Sequence, residues 1–334
     1  MISAILISAQ VMYCAPVDTF QVLKVPFENG SVSLLEGATP ANDQGTPSAS
    51  DQYSGPSCVA STTAVYCAPH TANHVLKVSF ADDSVTPLTD YTLSGSAKYW
   101  GACDSSTTAM YCAPFNADHV LKVGFADDSV TQLATSPDVD LSLISSQYIG
   151  SCASSTAAMY CAPYKAADVL KVSFADDSVT QLAIPGLVTT VYNADNHYAG
   201  GCQTSTTAMY CAPNTRDGSV LKVLFATDGV MLLAGPQFSS NDFGEACAAS
   251  TTAMYCAPNM GDNVLKVNFA DDSITLLTGP TLTQSQQYTG RSCMTSVTAM
   301  FCSPFSADYV LKAGIPHCLR LARSYVAHPT PDLN

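Results

Sequence analysis

The sequence predicts an all-β chain: a seven-bladed β-propeller of four-stranded antiparallel blades, with the last blade incomplete. Three observations carry that expectation. A phrase close to Met-Tyr-Cys-Ala-Pro recurs at Cys14, Cys67, Cys112, Cys161, Cys211, Cys256 and Cys302, at intervals of 53, 45, 49, 50, 45 and 46 residues. Each copy is followed by Val-Leu-Lys, ending at Lys24, Lys77, Lys122, Lys171, Lys222, Lys266 and Lys312. The acidic residues are almost all Asp, since Glu occurs only at Glu28, Glu36 and Glu245. Asp favours turns whereas Glu favours helices.

The copy from Tyr99 to Leu133 shows how each element follows. A first strand through Gly101-Ala102-Cys103 meets a tight Ser105–Thr108 turn. A second strand, Ala109–Cys112, stops at Pro114, which cannot donate to a ladder. Asn116–Asp118 turns the chain into a third strand, Val120–Phe125, rich in β-branched and aromatic residues. Asp127–Ser129 is the next turn, and Val130–Leu133 the fourth strand. Four short strands in a repeat of this length match one propeller blade, and sustained helical periodicity is missing. The first copy sets Ile5 nine positions before Cys14, so residues 2–8 read as a strand although they resemble a short signal h-region without its basic flank. After Lys312 the pattern dissolves into Ala-Gly-Ile-Pro-His-Cys-Leu-Arg. Residues 1–316 are therefore assigned to the propeller and 317–334 to an irregular tail, unless residues 318–327 replace the missing strand.

Composition narrows the partners. The chain has 334 residues, is 47% apolar and 12% charged, and carries a net charge of −14. Its 13 basic residues are scattered, so no stripe is available for a phosphate backbone, and nucleic acid is excluded as the expected partner. No apolar run approaches the length of a membrane-spanning helix. A monomer, secreted or cytoplasmic, with no cofactor is expected.

The copies resemble the Tyr-Cys-Ala-Pro…Val-Leu-Val-Ile-Asp propeller repeats of protist and algal proteins, and more distantly YVTN, NHL and Kelch-like propellers, over residues 10–312. The sequence departs from those repeats by placing Lys where an aliphatic residue is common, and it lacks the Kelch Gly-Gly pair. The resemblance implies the fold and leaves the activity open, because such scaffolds host many functions.

Six copies carry a second cysteine nine positions before the first: Cys58, Cys103, Cys152, Cys202, Cys247 and Cys293. A hairpin on the Ser/Thr turn would set these opposite Cys67, Cys112, Cys161, Cys211, Cys256 and Cys302, within disulfide range. The alternative is reduced cysteines serving as small hydrophobes. Zinc does not fit, because neighbouring pairs sit in separate blades.

Candidate binding residues lie before the first strands. Tyr53, Tyr99, Tyr148, Tyr198, Phe243 and Tyr288 could form an aromatic ring at the channel mouth, suited to a sugar or peptide, or could pack between blades. Trp100 is the chain's sole tryptophan and stands outside the repeat. Glu245 and Arg291 replace a repeated Gly or Pro in consecutive blades and suggest either a structural ion pair or a ligand clamp. The repeated Lys is expected to bond turn carboxylates such as Asp127 or Asp128. Asp195 and His197 form only a weak metal pair, and no hydrolase, P-loop or dinucleotide motif is present. These observations favour a non-catalytic scaffold binding a protein, peptide or glycan through its variable loop rim. The alternative is a hydrolytic propeller of the lactonase or lyase type.

Overall fold

The structure, a computed structural model, describes residues 2–7, 11–16, 21–28, 31–37, 51–53, 57–135, 139, 141, 145–150, 152–186, 197–199, 201–214, 218–236, 238, 243–278, 288, 293–295, 299–303, 306–307, 310–314 and 318–321. Within them the strands form seven four-stranded antiparallel sheets, each with its strands in sequence order. We number the sheets 1 to 7 along the chain. Sheet 3 is representative, with strands Cys103–Ser105, Ala109–Cys112, Val120–Gly124 and Val130–Leu133.

Two local devices fix this pattern. Ser106 Oγ accepts from the backbone N–H groups of Thr108 (3.2 Å) and Ala109 (3.0 Å) and thereby closes the first hairpin. Ser61, Ser155, Ser205 and Ser250 do the same in their own sheets. In the turn between the third and fourth strands, Asp83, Asp128, Asp177, Asp228 and Asp272 take the left-handed conformation with φ between 55° and 59°. Asp tolerates this conformation better than most side chains.

Two expectations change and one holds. The first strand of sheet 3 begins at Cys103 instead of ending there, because the ladder pairs Cys103 with Cys112 and Ser105 with Met110. Sheet 1 does open with a strand, Ile2–Ile7, pairing Ile5 with Cys14. Sheet 7 is also complete: Cys318–Leu321 pairs with Val310–Gly314, after a turn two residues shorter than in other sheets. This strand lies inside residues 318–327, the stretch offered as the alternative to an irregular tail.

The first strands lie side by side from sheet 1 through sheet 7. Between successive sheets the apolar faces form cores. One such core joins Tyr66, Val75 and Tyr99 to Met110, Leu121 and Val123, linking sheets 2 and 3. Equivalent cores lie between sheets 1 and 2, 3 and 4, 4 and 5, 5 and 6, and 6 and 7. Each of sheets 2 to 6 thus presents one face to its predecessor and the other to its successor. The alternation of side chains along its strands generates both.

Candidate functional site

The repeated Lys does bond an aspartate, but that of the next sheet. Lys122 Nζ donates to Asp177 at 2.5 Å, while Asp128, in the turn following Lys122, accepts from Lys77 at 2.6 Å. Lys24–Asp83, Lys171–Asp228 and Lys222–Asp272 repeat the arrangement. Each of these aspartates also accepts a tyrosine hydroxyl from the preceding sheet, as Tyr111 to Asp177 at 2.8 Å. The tyrosine ring stacks on a phenylalanine of the succeeding sheet, with centroids 5.0 Å apart for Tyr111 and Phe174. We call this Tyr-Lys-Asp unit a bracket. Burial alone would raise the pKa of Asp83, but its bonds from Lys24 and Tyr13 outweigh burial and hold it below the ordinary carboxylate value. The sequence identified the repeated lysine and the turn carboxylates, Asp128 among them, but left open which lysine meets which aspartate, because a one-blade reading cannot see across the joint.

The six cysteine pairs are disulfides, joining Cys58–Cys67, Cys103–Cys112, Cys152–Cys161, Cys202–Cys211, Cys247–Cys256 and Cys293–Cys302 with Cα atoms 3.9–4.1 Å apart. Each lies within one sheet, so no disulfide among them ties one sheet to another. Cys14 is buried and unpaired because Ile5 occupies its partner position.

A cavity of about 420 Å³ lies along the first strands of sheets 3 to 7. Cys152, Cys202, Cys247 and Cys293 line it, together with Asp104, Ser154, Gln203 and Thr295. Gly201 allows close passage here. Its φ is +94°, and a Cβ at that position would sit 2.5 Å from Cys247 Sγ. Gln203 Nε2 donates to the Cys247 carbonyl at 3.1 Å, binding the cavity wall across two sheets.

Of the two readings of the aromatics before the first strands, burial fits packing and leaves no open ring at the channel mouth. Tyr53, Tyr99, Tyr148, Tyr198, Phe243 and Tyr288 are all buried. Tyr53, Tyr99, Tyr148 and Tyr198 direct their hydroxyls onto the carbonyls of His74, His119, Asp168 and Ser219, just before the third strands. Burial pushes these four phenols well above their ordinary pKa. They anchor the interblade loops and offer no open face. Glu245's side chain and all of Arg291 lie outside the described residues, as does Asp195. His197 is described, and its backbone N–H bonds the Tyr164 carbonyl. Among the described residues no group of three or more metal-ligating side chains occurs, and no helix is long and apolar enough to cross a membrane.

Trp100 behaves differently. It is 36% exposed and packs edge-on against His70 at 5.2 Å and Phe115 at 5.1 Å. His70 is buried, its Nδ1 lies 3.1 Å from the Asp51 carbonyl, and burial lowers its pKa. The indole thus stands on a rigid aromatic base at the end formed by the interblade and second-to-third-strand loops. Tyr91 and Met260 are also exposed on loops at this end.

The chain matches no protein-family model and no curated protein. Among solved structures it is similar to Sqt1 of Saccharomyces cerevisiae, with a TM-score of 0.65 and 10% identity over 96% of this chain and 84% of that one. It is also similar to the β-propeller domain of Cps50 from Myceliophteria thermophila, with a TM-score of 0.53 and 9% identity, covering 97% of each chain. Virginiamycin B lyase from Staphylococcus aureus aligns with a TM-score of 0.54 and 11% identity, over 96% of this chain and 94% of that one. At such identities the likeness shows the fold: the chain is a β-propeller protein of repeated four-stranded antiparallel sheets.

Proposed function

We propose that the chain is a seven-bladed propeller acting as a non-catalytic scaffold, which takes a peptide, protein or glycan on its loop end. The observation that carries this reading is the contrast between the constant sheets and the variable interblade connections at that end. The sheets repeat almost residue for residue, whereas the interblade connections 37–57, 89–102, 134–151, 183–201, 234–242 and 279–292 differ in length and composition. A constant frame with variable loops on one end is how scaffolds present recognition surfaces. Trp100, supported by His70 and Phe115, provides that end with an apolar platform for a sugar face or a peptide side chain. The six disulfides support an oxidising compartment.

Trp100 also makes the test direct, because it is the chain's only tryptophan. Titration with a panel of oligosaccharides and arrayed peptides should produce a saturable shift in indole emission for one class. Trp100→Ala should abolish retention of that class on an affinity column while leaving the thermal transition in place. The competing reading, a lyase-like or hydrolytic propeller, places the chemistry in the inner cavity. Turnover of a probe that survives Trp100→Ala but is lost in Asp104→Asn would establish that reading instead.

A further inference from the structure

The joints of the ring are not equal. Brackets join sheets 1 and 2, 2 and 3, 3 and 4, 4 and 5, and 5 and 6. Between sheets 6 and 7 the tyrosine and lysine persist as Tyr255 and Lys266, but residues 315–317, between the last two strands of sheet 7, include no acid in the sequence. That joint retains an apolar core, with Tyr255, Met300 and Leu311 among its members. Between sheets 7 and 1 the sequence removes both ends of the bracket. Phe301 stands where the other sheets have tyrosine, and Gly30, six residues after Lys24, is the sequence equivalent of Asp83, six after Lys77. Lys312 is left over the Phe301 ring, 5.5 Å from its centroid, with no carboxylate partner among the described residues.

Packing at the same place is loose on both sides. Met12, Leu23 and Val25 lie on the face of sheet 1 that points away from sheet 2. They are partly exposed, whereas their counterparts Met110, Leu121 and Val123 are fully buried. Farther out on that face Phe27, Val32 and Leu34 are 51%, 64% and 56% exposed. On sheet 7, Phe301 and Val310 are partly exposed where Tyr111 and Val120 are buried. Among the described residues no apolar core spans sheets 7 and 1. Only near the channel is the face covered, where Cys14 is 2% exposed. The disulfides cannot compensate, since each closes a hairpin inside its own sheet.

We propose that the joint between blades 7 and 1 is the opening seam of the ring, where the propeller parts to admit solvent or a ligand sideways into the channel while the bracketed joints stay shut. This rests on the seven-bladed closed ring proposed above. Regions with few buried contacts are where native proteins open first, below the cost of global unfolding.

Cys14 reports on the seam, because it lies on the seam face and burial holds its thiol above the ordinary pKa. The experiment alkylates the native, oxidised full chain with iodoacetamide and follows Cys14 by peptide mass spectrometry. In parallel, hydrogen exchange compares the strands Val11–Pro16 and Gln21–Pro26 with Ala109–Cys112 and Val120–Gly124. Cys14 should react under conditions where the inner sheets remain protected, and the first pair of strands should exchange faster than the second. Restoring the bracket with Gly30→Asp and Phe301→Tyr should slow alkylation by roughly tenfold, the scale of one charged hydrogen bond. Alkylation only at the rate of global unfolding would overturn the seam and leave the closed ring standing. So would a restored bracket that folds but does not slow it. Reaction at the rate of an exposed thiol in both proteins would overturn the closed ring itself, and the seam with it. If the double variant does not fold, the exchange profile of the natural chain decides: equal protection in sheets 1 and 3 sinks the proposal.

Discussion

Asp177 offers the sharpest test of the bracket, because three substitutions separate its two duties. Its carboxylate accepts Tyr111 Oη at 2.8 Å and Lys122 Nζ at 2.5 Å, and its backbone sits at φ 59°. The lysine and aspartate side chains are 28% and 34% exposed, so solvent screens the ion pair and its charge contributes at most about 1 kcal/mol. The tyrosine bond to a charged acceptor adds about 1.5 kcal/mol. Asp177→Asn keeps an acceptor and tolerates the left-handed backbone, so it should cost about 1 kcal/mol. Asp177→Gly loses both bonds but sits without strain, for a cost of about 2 kcal/mol. Asp177→Ala loses both bonds and also forces a Cβ into the left-handed region, for about 3 kcal/mol. Guanidinium titration followed by circular dichroism should therefore rank the variants Asn, Gly, Ala from mildest to most severe. A glycine variant as stable as the natural chain would show that the bracket contributes nothing. Equal losses for glycine and alanine would refute the backbone part of the argument.

Two further outcomes follow from the same geometry. Of the 14 cysteines, the twelve in the six disulfides should be silent and two should titrate with Ellman's reagent in non-reducing denaturant. Removing one bridge as Cys152→Ala with Cys161→Ala should cost about 2.5 kcal/mol, because the loop it closes is short. Acid should also destabilise the chain. Asp83 is held below its ordinary value of 3.8, so the stability it provides is present above that pH and is lost as pH falls through its lower, folded-state value. Asp82, Asp127, Asp176 and Asp271 are lowered too, mainly by hydrogen bonds from the neighbouring turn serines. A thermal midpoint that stays level from pH 6 down to pH 3 would contradict this.

Much of the fold is written in the repeat. The nine-residue cysteine spacing implied the Cys103–Cys112 register, because a two-residue side-chain period leaves little choice once the Ser-Thr turn is placed. The Ile5–Cys14 pair followed from the same count and gave residues 2–8 as a strand, found as Ile2–Ile7. Residues 318–321 were harder to place: they share no phrase with other fourth strands, and only the ladder from Val310–Gly314 recruits them. The candidate site was less legible. Tyr99 and Trp100 are adjacent aromatics before a first strand, yet one is buried against the His119 carbonyl and the other stands in solvent on His70 and Phe115. Both stand in the loop before the strand Cys103–Ser105, and which of the two faces inward depends on neighbouring segments that local pattern does not encode. The destination of Lys122 on Asp177 was hidden for a related reason, since the two are 55 residues apart and meet only across a joint.

The forward reach of each bracket has a consequence for how such a chain can change over time. Every inner sheet offers the same donor pair to its successor and the same acceptor to its predecessor, so any of them can stand beside any other. Duplicating or excising one whole inner repeat leaves no lysine and no aspartate stranded, because the new neighbours find each other's groups already in place. The contacts therefore specify adjacency and are indifferent to number. Gly30 and Phe301 depart from the repeated bracket, so the first and seventh repeats are not interchangeable with the inner ones.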